Sequence, residues 1–221
     1  IASLPLLPPT LLNLYRGFNA RDSLPQLNTG LQVLDCSFNQ ISVLPALPST
    51  LKILNCAYNT NLYYQQSLIS LPVLDNSLVQ LECEGNAITA LPVLPQNLTY
   101  LDCSQNLLTA LPQPGPALNY LDCSVNPFNA LPVLPSGLTY LDCDSTLITA
   151  LPVLPAHLSS LFASGIDSLT TITGLPSSMF QFNASNDKAL TTITSLPRYI
   201  YILNLNHDMA ISSLPALPDT T

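Results

Sequence analysis

The stretch LTYLDCSQN (residues 98–106) recurs almost unchanged along the chain, and its spacing decides the architecture. With its first leucine as position one, units begin at Leu11, Leu31, Leu51, Leu78, Leu98, Leu118, Leu138, Leu158, Met179 and Ile200. The steps are 20, 20, 27, 20, 20, 20, 20, 21 and 21 residues, so a chain of 221 residues is a ladder of about ten similar rungs. Self-similarity at such a period means units that cannot bury a core alone and do so by stacking.

Within a unit, LxxLxC alternates as a short strand does, which sends positions one, four and six inward and positions three and five outward. Position nine holds Asn39, Asn59, Asn86, Asn106 and Asn126, preceded by Asn19. A buried amide at each bend satisfies backbone groups the bend leaves unpaired, which predicts an asparagine ladder. The prolines, 21 in all, cluster in the return path, as in LPVLP (residues 91–95). Twenty residues cannot hold a strand, a helix and two loops, so the return is expected to be extended and polyproline-like, with its leucines inward. The strand segments carry no proline and can pair in parallel with the next rung.

LTYLDCSQNLLTALP (residues 98–112) and LTYLDCDSTLITALPVLP (residues 138–155) resemble leucine-rich repeats. The twenty-residue unit and the LPxLP return are similar to the short bacterial class, found in secreted effectors of enteric pathogens and in secreted or surface proteins of other bacteria. The expected fold is therefore a leucine-rich repeat solenoid: a right-handed β/extended coil with a concave parallel β-sheet and a helix-poor, polyproline-like convex side. Residues 1–221 are expected to form a single leucine-rich repeat domain.

Composition narrows the function classes. The chain is 48% hydrophobic but only 8% charged, which excludes a disordered, solvating protein and leaves a surface of Ser, Thr, Asn, Gln and Tyr. A formal net charge of −8 with only 5 Lys and Arg cannot build a phosphate-neutralising stripe, so no nucleic-acid partner is expected. No run has the length of a membrane span, and no basic region followed by an apolar segment opens the chain. Ile1 as the first residue suggests a mature or excised piece.

Cys36, Cys56, Cys83, Cys103, Cys123 and Cys143 all fall at position six, where later units place Ala163, Ala184 and Leu205. Replacement by Ala and Leu marks an inward packing slot. Parallel rungs about 4.8 Å apart hold sulfurs side by side in poor disulfide geometry, so six free, buried thiols are expected. No close-spaced ligand pair stands near His157 or His207, which argues against a metal site, and no cofactor is expected. With no electropositive neighbour for a thiol, no Ser-His-Asp set and no glycine loop for phosphate, the chain reads as non-enzymatic.

The outward positions carry the chemistry. Position three gives Tyr100, Tyr120 and Tyr140; position five gives Asp35, Glu82, Asp102, Asp122 and Asp142; position seven, read as part of the same face, adds Glu84 and Asp144. Seven of the 13 acids thus share one face. Carboxylates stacked about 4.8 Å apart repel by roughly 1 kcal/mol per pair in water, so something must compensate. Solvent, tyrosine hydroxyls and neighbouring Ser or Thr are the structural answer. A basic or polar partner is the functional one, and a cation between adjacent acids the third. The acid stripe stops after Asp144, where position five becomes Phe162, Asn183 and Asn204 and the return path becomes SLTTITGLP (residues 168–176) and ALTTITSLP (residues 189–197). The one long step carries seven extra residues after Asn59, which are expected to protrude as a loop, with Tyr63, Tyr64, Gln65 and Gln66 as candidate contacts.

The leading reading is a binding module of a secreted or cell-surface bacterial protein, recognising a protein partner, with a glycan as second class, through the concave Tyr/Asp face and the inserted loop. The alternatives are the recognition domain of a host-delivered effector whose catalysis is encoded elsewhere, and a structural element of a surface assembly. The chain opens and closes mid-unit without a polar capping module, so it is expected to be a segment of a larger protein, its ends capped by flanking domains or a partner subunit.

Overall fold

The computed structural model describes residues 7–19, 23–61 and 66–215. The main sheet has ten parallel strands: β1 (Asn13–Tyr15), β2 (Val33–Asp35), β3 (Ile53–Asn55), β6 (Gln80–Glu82), β7 (Tyr100–Asp102), β8 (Tyr120–Asp122), β9 (Tyr140–Asp142), β10 (Ser160–Phe162), β12 (Gln181–Asn183) and β14 (Ile202–Asn204). Each pairs with the next unit's strand in unbroken register, position three on three and five on five, as in Tyr100↔Tyr120 and Asp102↔Asp122. No helix occurs among the described residues. The coil is the expected leucine-rich repeat solenoid: a parallel sheet on one side and an extended return on the other.

The core runs as a column between them. Leu34, Leu54, Leu81, Leu101, Leu121, Leu141, Leu161 and Phe182 at position four are buried, and so are the residues at position eleven: Ile41, Leu68, Ile88, Leu108, Phe128 and Ile148. A fully buried aliphatic or Phe side chain contributes about 1.5–3 kcal/mol, and here each is covered by its counterparts above and below, so no rung is stable alone. All six cysteines are free and buried in this column. Four of them donate Sγ–H to the position-five carbonyl of the next rung, for example Cys123 to Asp142 O at 3.2 Å. Burial pushes Cys36 up to about 12, and burial raises the other five thiols well above their ordinary value too, so they stay protonated.

The amide ladder holds the bends. Asn106 Nδ2 donates to Cys103 O (3.1 Å) and Ser104 O (2.9 Å) in its own rung and to Cys83 O (2.9 Å) in the preceding one, while its Oδ1 accepts from Ile88 N (3.0 Å). Asn39, Asn59, Asn86 and Asn126 repeat the pattern, so each side chain ties two rungs together. The residue before it, position eight, is left-handed in every unit, with φ between 51° and 67°, and its N–H donates to the position-seven carbonyl of the next rung. Gly85 and Gly165 suit this conformation; Val125, β-branched with φ 53°, does not.

The return path follows the proline logic and then departs from it. The second proline opens a turn that closes into position one, as in Leu138 N to Pro135 O at 3.1 Å. Among the described residues, the return segments of the proline rungs do not pair as strands with one another. In the last rungs they do: β11 (Thr171–Ile172) pairs in parallel with β13 (Thr192–Ile193). The reason is local. Thr173 and Thr194 stand where Pro152 stands in the rung before, and Thr194 N donates to Ile172 O at 3.1 Å, a bond proline cannot make. The seven-residue insertion begins and ends as an antiparallel pair, β4 (Thr60–Asn61) with β5 (Gln66–Ser67), and Leu68 then resumes position eleven, fully buried. Tyr63, Tyr64 and Gln65 lie outside the described residues.

Asn106→Ala removes an amide with four backbone partners and is expected to lower unfolding free energy by about 1–3 kcal/mol in chemical denaturation. Val125→Asn, which tolerates the left-handed conformation, is expected to raise it by about 1 kcal/mol, read as a higher Tm.

Candidate functional site

Strand parity places positions three and five side by side on the concave face, half-buried, around an inward leucine. Perfect register then forces like onto like. The rings of Tyr100 and Tyr120 stack with centroids 4.2 Å apart and planes 8° from parallel; Tyr120 and Tyr140 stack at 4.3 Å and 8°. Phe162 closes the row at 5.4 Å with a 39° tilt. Such stacking contributes beyond area burial, and burial within the stack pushes all three phenols above their ordinary value, so they remain neutral.

Beside the rings runs the acid row. One oxygen of each aspartate is committed to the chain itself: Oδ1 of Asp102 accepts from Ser104 N (3.0 Å) and Ser104 Oγ (2.8 Å), and Asp35 with Ser37 and Asp122 with Ser124 repeat this. Asp142 Oδ1 accepts from Asp144 N at 3.0 Å. These bonds hold the chain as it leaves the strand, and Asn55, Asn183 and Asn204 perform the same task with an amide oxygen. The recurring D-x-S could have revealed this turn from the sequence. Glu82 instead spans rungs, accepting from Asn55 Nδ2 (2.8 Å) and Gln80 Nε2 (2.6 Å).

Position seven is more enclosed than alternation predicts. The strands end at position five, and the chain folds under the carboxylates, burying Ser37, Ser104 and Ser124. Glu84 and Asp144 are only half exposed for the same reason. Glu84 Oε2 is buried with no hydrogen-bond partner, and Asp144 Oδ1 accepts from Ser164 N at 2.5 Å. Burial, with the charge of Asp102 second, lifts Glu84 to about 7; burial lifts Asp142 to about 7 against the opposing bond from Asp144 N. Asp102 and Asp144 are raised by burial too. No Lys or Arg occurs between Lys52 and Lys188, so these rungs carry no basic residue of their own to offset the acids. Among the described residues no cluster of His, Cys, Asp and Glu has the geometry to hold a metal ion.

A second aromatic row was not anticipated. Phe18, Phe38 and Tyr58, at the left-handed position eight, stack along the rim with centroids 4.2 and 4.7 Å apart. Tyr58 then leans across Gly85, where an added Cβ would lie 2.4 Å from the ring, and its hydroxyl meets Gln105 Nε2 at 3.4 Å. With Asn39, Gln40 and Thr60 these rings line an open, uncharged cleft of about 500 Å³ beside the inserted hairpin.

Carboxyls whose folded values exceed their ordinary ones bind more protons folded than unfolded, so they make stability fall as pH rises from about 4 towards 7. The double variant E84Q/D142N is expected to flatten that part of the stability–pH profile and to raise Tm at pH 8 more than at pH 5.

No protein-family model matches the chain, and no curated protein matches it in sequence. Solved structures do. YopM from Yersinia enterocolitica WA-314 overlays with a TM-score of 0.78 at 32% identity, covering 99% of this chain and 51% of that one. A leucine-rich repeat protein of Leptospira interrogans overlays at 0.61 and 23% identity, covering 85% and 51%. The functional domain of InlJ from Listeria monocytogenes, described as including a cysteine ladder, overlays at 0.48 and 28% identity, covering 83% and 48%. The chain spans about half the length of these proteins. With unbroken register, inward leucines and an amide at the bends from Asn19 to Asn126, the fold of this chain is that of the leucine-rich repeat proteins.

Proposed function

We propose that the chain is a non-enzymatic binding module of a secreted or surface bacterial protein, and that its concave face from Glu82 to Asp144 takes a basic polypeptide. One observation carries the reading: the acid row is charged beyond what the fold needs. Asn55, Asn183 and Asn204 hold the same turn without charge, yet Asp102, Asp122 and Asp142 bear carboxylates on adjacent rungs, each with one oxygen left over and no Lys or Arg of the chain between residues 52 and 188 to offset it. A partner bearing Lys or Arg relieves that repulsion, and the neighbouring tyrosine edges offer contact area at little entropic cost. The neutral rim cleft of Phe18, Phe38, Tyr58, Asn39, Gln40 and Thr60 suits a second ligand class, a glycan, because it joins aromatic rings to amides and a hydroxyl without charge.

A fluorescent Lys/Arg-rich peptide is expected to bind more tightly at low than at high salt, and D102N/D122N/D142N is expected to weaken it at least tenfold while unfolding stays cooperative. Unchanged affinity in that folded variant removes the concave acids from the role.

A further inference from the structure

The amide ladder changes chemistry near its C-terminal end. Thr146 replaces Asn, its hydroxyl donating to Cys143 O at 2.8 Å; Ile166 follows with no polar group; then Asp187 and Asp208 occupy position nine. Both aspartates do the acceptor half of the asparagine's work. Ile166 N donates to Asp187 Oδ1 at 2.5 Å, and Asp187 N donates to Asp208 Oδ1 at 2.8 Å, in the same sense as Asn59 N to Asn86 Oδ1 at 2.9 Å. The donor half is vacant. In the asparagine rungs the second side-chain atom is an amide nitrogen facing two or three carbonyls; here it is a carboxyl oxygen, and Oδ2 of each aspartate is buried without a partner. By register, the carbonyls at that place for Asp187 are those of Ala163, Ala184 and Ser185. An ionised oxygen facing carbonyls inside the core is repelled and desolvated at once, whereas a protonated one donates.

We propose that Asp187 and Asp208 are held as neutral carboxylic acids that continue the asparagine ladder, a proton standing in for the amide, so that cohesion of the rungs from Ile166 to Asp208 is switched by pH.

The surroundings favour the neutral form. Asp187 is fully buried, and the charged groups acting on it are Asp208 on the following rung, Asp167 on the preceding one and Asp144 beyond it, all acids. The cations nearby are engaged or peripheral: Lys188 Nζ pairs with Asp167 at 2.8 Å in solvent, and His207 acts on Asp208. Burial lifts Asp187 to about 7 and raises Asp208. The sign follows: a carboxyl raised in the folded state contributes its stabilisation fully below the ordinary carboxylate value near 4 and loses it progressively until pH reaches about 7. These rungs therefore tighten in mild acid and loosen at neutral and alkaline pH. This switch is independent of what the concave face binds.

The side-chain carboxyl carbons of the intact protein, followed by NMR, and hydrogen exchange at the Ile166 and Asp187 amides test this. Asp187 is expected to titrate near neutrality, with protection at the Ile166 amide falling by up to about tenfold per pH unit between pH 4 and 7. In Asp187→Asn, whose amide supplies the donor, that protection is expected to depend less steeply on pH, keeping only what Asp208 and the concave acids contribute, and to exceed that of the parent at pH 8. Titration of Asp187 below pH 5 in the unaltered protein overturns the proposal, whether or not the variant folds, and so does a pH dependence as steep in a folded Asp187→Asn as in the parent.

Discussion

Through the first six rungs, from Asn19 to Asn126, this molecule depends on a side-chain amide at the bend. The carbonyls that the chain exposes as it leaves the strand lie inside the coil, beyond the reach of water, and each left unpaired costs about 1–3 kcal/mol. A single asparagine answers two or three of them and accepts a backbone N–H in addition, half of this within its own rung and half across to the neighbour. The rung spacing, the left-handed residue before the amide and the strict stacking of position on position all follow. Thiols at position six complete the arrangement from inside, small enough for the crowded column and able to share the carbonyl that the strand already uses.

Strict stacking has unequal consequences for different residues. Tyrosine over tyrosine is favourable, and the three rings lie nearly parallel at contact distance. Carboxylate over carboxylate is not. The structure mitigates this by drawing one oxygen into the turn and by burial that shifts several of the acids towards neutrality, but the rungs between Lys52 and Lys188 carry no Lys or Arg. Since an asparagine serves the turn equally, the surplus charge is a property of the surface and not of the fold.

The two zones of the solenoid differ for reasons of hydrogen bonding. Through the LPxLP rungs, proline removes donors from the return path, so neighbouring rungs are joined on the sheet side and through the core. Once threonine replaces the first proline, the return path gains an N–H and β11 pairs with β13. Over the same stretch the asparagine ladder gives way to Thr146, Ile166, Asp187 and Asp208. The strand register nevertheless passes through this change without a break, from β9 to β10 to β12 to β14, because the inward leucines, Phe182 and Ala184 keep the column filled.

From periodicity alone the chain announces its rungs, the inward leucines, the buried cysteine slot, the amide ladder and an extended return, because each depends on contacts that repeat every twenty residues and are therefore written into every unit. The Tyr and Asp rows were legible for the same reason: parity assigns their face. Other features depend on where the backbone turns in space. Position seven folds under the acids, Tyr58 leans over Gly85, and the rim stack of Phe18, Phe38 and Tyr58 exists because position eight is left-handed and swings those rings into line. Which acids are crowded towards neutrality is likewise a matter of burial and distance, set by the tertiary structure, as Glu84 and Asp142 show.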